Sequence, residues 1–181
     1  MKALGAGLLL AAAAACASTP APISAGARGP RAWEPPPANS SGARVTDPAA
    51  RLQCVPFARN ASGIEIYGDA NTWWVQAAGR YPRSHHPAEG AVLVLEGYNN
   101  PGRGHVAVVT AIEGARVIRV DHANWLNNGE VSVDVPVLDV SPDNDWSEVR
   151  VWHIPGGHWG GRVYQAQGFI HNFRLEARAF S

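Results

Sequence analysis

The side chain in this sequence best suited to covalent chemistry is Cys54, which is followed by Val55, Pro56 and Phe57. A proline two residues after the cysteine fits the first turn of a helix, so the spacing predicts a short helix starting at or next to Cys54. A helix N-terminus carries partial positive charge and favours thiolate over thiol. Its free backbone N–H groups can also hold the oxyanion formed when sulfur attacks a carbonyl carbon. The chemistry implied is acyl transfer. It requires an imidazole that takes the thiol proton and later returns it to the leaving group. Of the seven histidines, His105 is the best placed. It follows the glycine-rich stretch Asn99–Gly104 and opens the apolar run His105–Ile112. A strand would hold it firmly beside a loop with room for a substrate.

The next apolar run, Arg116–His122, supplies candidates for a third member that orients the His105 ring. Antiparallel pairing would return the end of this second strand to the start of the first. Period-two alternation puts His122 and Asn124 on one face and Asp121 on the other. His122 is therefore the first candidate, Asn124 the second and Asp121 the third. The competing structural reading makes Asn124 a turn residue and His122 an edge residue.

Other segments organise the chain around these residues. Met1 and Lys2 precede an apolar run over residues 3–15. That run is too short for a bilayer span of ~20 residues, and it fits the hydrophobic part of an export signal over residues 1–17. Two processing routes are compatible with it: lipidation at Cys16, with Ala13 where such signals usually carry Leu, or cleavage after Ala17. Either leaves Cys54 as a lone cysteine in an oxidising compartment, where a reactive role is the simplest reason for it. Residues 18–50, rich in Ala, Pro, Gly and Ser without hydrophobic periodicity, predict a flexible tether. A folded domain is expected over 51–155.

Within that domain, helices over Cys54–Asn60 and Asp69–Gly79 precede strands near 91–95, 105–112, 116–122, 130–135 and 148–152. Helices followed by a meander of strands give an α+β pattern. Residues 156–181 are aromatic and glycine-rich and predict a C-terminal tail that either covers a sheet edge or binds a surface. His85 and His86 fall in a loop and are expected to be solvated. At least one of Trp73 and Trp74 should be core. Fifteen basic residues balance fifteen acidic ones, and charged residues make up 17% of the chain. This balance removes the electrostatic case for nucleic-acid binding.

Four blocks in order, Gln53–Arg59, Gly90–Val94, Gly104–Val109 and His122–Trp125, resemble those of CHAP domains (cysteine, histidine-dependent amidohydrolases/peptidases). The resemblance implies a papain-like fold, with short N-terminal helices carrying Cys54 packed on a small antiparallel sheet carrying His105. It also implies cleavage of amide bonds, most often in bacterial peptidoglycan, through a thioester at Cys54. Peptidoglycan or its stem peptides would be the partner, in the periplasm or cell envelope, with membrane contact only through a lipid at Cys16. The family commonly has Glu where this chain has His122. A neutral imidazole stabilises an imidazolium less than a carboxylate does. No Asp-rich D-x-D-x-D loop occurs, so neither metal nor cofactor is expected. Two alternatives stand beside this reading. One is a degenerate or metal-stabilised binding module of the envelope, although the Cys/His spacing lacks the usual zinc pairs. The other is an amidase of small molecules.

Overall fold

Val92, Val94, Val106 and Val108 alternate along two neighbouring strands with Leu93, Leu95, Ala107 and Val109, and all eight side chains are buried. A strand pair with two apolar faces must be covered on both. The computed structural model, which describes residues 42–173, covers one face with the interior of a β-barrel and the other with two short helices. The strands are β1 (Arg44–Asp47), β2 (Arg83–Ser84), β3 (Val92–Glu96), β4 (Gly104–Ile112), β5 (Val117–Ala123), β6 (Val131–Asp139), β7 (Glu148–His153), β8 (His158–Trp159) and β9 (Tyr164–Ile170). The helices are α1 (Cys54–Ser62) and α2 (Trp73–Ala77), the second entered through a 3-10 turn at Ala70–Thr72.

Six strands close into a ring. β3 pairs with β4, β4 with β5, β5 with β6, β6 with β7, β7 with β9 and β9 with β3, all antiparallel. This closure overturns the expected papain-like α+β fold: the described chain is mostly β, a six-stranded barrel with helices of only nine and five residues. The physical reason lies in β9. Residues 164–170, within the stretch expected to be a tail, insert between β3 and β7, with Leu93 opposite Phe169 and Glu148 opposite Gln165. At the other end, β1 lies inside the stretch 18–50 expected to be a tether. It pairs with β6, Arg44 opposite Val133, so folded structure begins ahead of Arg51. The export signal over residues 1–17 and the tether up to residue 41 lie outside the described residues.

The two faces of the β3–β4 pair belong to two apolar clusters. Leu93, Leu95, Ala107, Val109, Ile118, Val120, Val135, Val137, Val149 and Phe169 fill the barrel. Val92, Val94, Val106, Val108 and Ile170 meet Ala58, Trp73, Ala77 and Tyr81 on the helical side. Trp73 is therefore core, as its neighbourhood in the sequence suggested.

The helical layer lies tight against the start of β4. A Cβ at Gly104 would stand 2.7 Å from the Asn71 backbone nitrogen and 3.0 Å from its Cα, so only glycine lets the strand pass beneath the 3-10 turn. Replacement by alanine must push the two backbones apart. Gly104→Ala is expected to cost about 1–3 kcal/mol of stability in urea unfolding. A loss below a few tenths of a kcal/mol would show that this approach is not constrained.

Candidate active site

Cys54 is the first residue of α1, whose N-cap Gln53 has extended backbone. The Gln53 carbonyl accepts from Phe57 N–H, closing the first turn. Pro56 sits inside that turn, where no N–H is needed. Cys54 is a free, part-buried cysteine. Backbone N–H groups of Val106, Val55 and Cys54 itself favour its thiolate, but burial outweighs them and pushes the thiol pKa up. Val106 is the strand residue next to His105.

His105 is the second residue of β4, opposite Leu95. By alternation it shares the barrel-facing side with Ala107 and Val109. On β5, His122 follows Ile118 and Val120 on the same side and is buried. The two imidazoles meet at one end of the barrel, His105 Nε2 to His122 Nδ1 at 3.1 Å. Trp125 fixes both rings, stacking on His122 at 5.3 Å and 21° and meeting His105 edge-on at 4.8 Å and 70°. Burial lowers the His105 pKa to about 3. Burial, reinforced by the charge His105 would carry, holds His122 well below the ordinary histidine value. Both rings are thus neutral near pH 7.

With Nε2 engaged, Nδ1 is the His105 atom left for the thiol. That requires the proton on His105 Nε2, donated to His122 Nδ1, and hence the His122 proton on Nε2. His122 Nε2 is buried and has no protein partner among the described residues, and neither has Ser132 Oγ. Ser132 is the residue directly across from His122 on β6.

The other two candidates for the third position lie elsewhere. Asp121 Oδ1 accepts from Asp134 N–H, at the irregularity where β6 gains residues between Val135 and Ser132. Its carboxyl is tied to that bulge. Asn124 takes a positive φ of 61°, which asparagine tolerates. It donates from Nδ2 to Gln53 Oε1 at 2.8 Å and accepts at Oδ1 from Gly129 N–H at 2.9 Å. With the Leu52 N–H bond to the Gly129 carbonyl, these contacts bind the start of α1 to the loop after β5. Asn124 therefore positions the backbone beside Cys54 and does not touch His105 through these bonds. The loop itself is gathered by buried Glu130, whose carboxylate accepts from Leu126 and Asn128 N–H.

Cys54 and His105 line one open cavity of about 600 Å³. Sequence reasoning missed its far wall, made of Tyr98 from the loop after β3 together with Arg162 and Tyr164. Their only local signal is aromatic and glycine content, because the segment reaches the cavity through non-local pairing of β9. Among the described residues no three metal-ligating side chains stand together, and His85 lies against Trp74 at 6.1 Å, away from this cavity.

Residues 44–124 match the family model of the CHAP domain, a stretch that includes Cys54, His105, His122 and Asn124. This stretch supports assignment to the CHAP domain family. CHAP domains are hydrolase domains of the amidase and peptidase kind. The match ends at Asn124, so β6 to β9 and the Arg162 and Tyr164 part of the far cavity wall lie beyond it. No curated protein matches the chain.

The electrostatics have a direct consequence. A raised thiol and a depressed imidazole rest together as neutral thiol and neutral imidazole. Thiolate forms only as pH climbs past the ordinary thiol range, and His105 takes a proton only as pH falls toward about 3. Alkylation of Cys54 by iodoacetamide is therefore expected to rise with pH into the alkaline range, without an acid plateau. A plateau near about pH 5–6 would mean a preformed thiolate–imidazolium pair.

Asn124→Ala removes two hydrogen bonds and places alanine at positive φ. A loss of about 2–3 kcal/mol is expected in urea unfolding, and Asn124→Gly should recover the backbone part. Equal losses in the two variants would argue against the strained-backbone contribution.

Proposed function

We propose that this protein is an exported cysteine amidohydrolase or endopeptidase that cleaves amide bonds in bacterial peptidoglycan. The observation that carries the reading is the joint placement of a helix-start thiol and a strand-start imidazole on one cavity, with the imidazole's far nitrogen held by His122. The substrate class is the one on which CHAP domains typically act. Export rests on the sequence of residues 1–17, and it places the protein in the periplasm or cell envelope.

In the first step Cys54 Sγ attacks the amide carbonyl carbon, and its proton passes to His105 Nδ1. The carbonyl oxygen gains the negative charge within reach of N–H groups at the start of α1. The carbon–nitrogen bond then breaks, the leaving amine takes the proton from His105, and a thioester remains. Water attacks this thioester, giving a proton to His105 that returns to Sγ as the acid departs. His122 stays neutral throughout and accepts the His105 Nε2–H bond, which strengthens as the imidazolium forms. Transfer of the proton to a base whose resting pKa is about 3 demands that the incoming substrate raise it. The bound peptide and the departing amine must supply that change within the cleft.

The test incubates the protein and its Cys54→Ala variant with purified peptidoglycan and reads soluble products by mass spectrometry. Fragments are expected from the wild type alone, with Cys54→Ala slower by ~10³-fold or more. His122→Ala should lower kcat on the order of 10²–10⁴-fold. Undiminished release by Cys54→Ala would sink the cysteine mechanism. No release from a folded, reduced wild type would remove peptidoglycan as substrate.

A further inference from the structure

The family match stops at Asn124, so it assigns nothing to the cavity wall built by Arg162 and Tyr164. We infer that this wall is a carboxylate-binding subsite, so that the substrate carries a free carboxylate close to the amide facing Cys54. The inference rests on the hydrolase reading above and specifies its substrate.

An unbroken file of rings leads from the base to the wall. His105 meets Trp125 at 4.8 Å, Trp125 meets Tyr164 at 5.0 Å, and Tyr164 meets Tyr98 at 5.7 Å. The Arg162 guanidinium lies over the Tyr98 ring, 4.9 Å from its centroid. Stacking on an aromatic face sets the plane of the fork and leaves its in-plane N–H donors free. Arg162 has no hydrogen bond or ion pair to satisfy those donors among the described residues, and neither has the Arg103 guanidinium, which belongs to the loop that carries Tyr98. The side chain is exposed, so core stability does not explain it.

Two guanidinium groups face the cavity against a single carboxylate, Glu96. That imbalance leaves room for one more negative charge. A planar fork with free parallel donors matches a carboxylate bidentately, a geometry that a neutral amide cannot reproduce. The rings between Arg162 and His105 offer apolar cover for the carbon chain joining that carboxylate to the scissile amide.

The experiment uses the full chain and two synthetic stem peptides that differ only in one side chain next to the scissile amide, a free carboxylate in one and its primary amide in the other. The wild type is expected to show a KM about tenfold lower for the carboxylate peptide. Arg162→Gln should raise that KM about tenfold with little change in kcat and leave the amide peptide unaffected. Arg162→Lys should restore part of the loss, because it keeps the charge without the fork. Calorimetry on Cys54→Ala with and without Arg162→Gln reads the same discrimination as binding, with no turnover needed. Equal affinity for the two peptides, or equal weakening of both by Arg162→Gln, overturns the subsite. If the wild type cleaves neither peptide nor peptidoglycan while Cys54→Ala still discriminates between them, the hydrolase reading fails and the subsite stands.

Discussion

The β3–β4 pair is a wall with two apolar faces, and the site depends on it. The helical layer packs on one face through Val106 and Val108, and the barrel interior claims the other through Ala107 and Val109. Cys54 arrives from the helical side and His105 points to the barrel side. Both line one cavity, and the Val106 N–H on the strand between the two faces favours the Cys54 thiolate. His105 could not be moved by one strand position without changing layer. Gly104, which lets the 3-10 turn lie against the strand, keeps that junction close.

Burial dominates the electrostatics of this site. Among the described residues no carboxylate raises the pKa of either histidine, and desolvation depresses both rings. In the proposed mechanism His122 therefore acts on His105 through tautomer and stacking, with Trp125 as the flat surface against both rings. A carboxylate there would stabilise charge on His105 at rest. A neutral imidazole stabilises it only as the charge develops, so the charge separation is deferred to the substrate complex.

Local features of the sequence were legible and long-range closure was not. The proline after Cys54 marked the start of α1, and alternation in residues 91–122 marked β3, β4 and β5. The antiparallel return of β5 placed His122 ahead of Asn124 and Asp121, and the 3.1 Å imidazole contact has that geometry. By contrast, the segment Tyr164–Ile170 alternates over only its first four residues before glycine at 168 interrupts it, a short signal beside glycine-rich flanks. Its place is decided by partners on β3 and β7 far away in sequence. The α+β expectation failed for that reason, because a ring cannot be seen until its last strand is placed. Arg162 and Tyr98 were missed with it, since their meeting across the cavity follows from the same closure.

The order in which the chain supplies its parts also has a temporal meaning. The proposed nucleophile, base and orienting imidazole are all present by residue 122, whereas Arg162 and Tyr164 of the opposite wall come about forty residues later. A nascent or half-threaded polypeptide therefore carries Cys54 before Arg162 and Tyr164 exist to complete the cavity. The cavity as described is complete only when the final strand closes the ring.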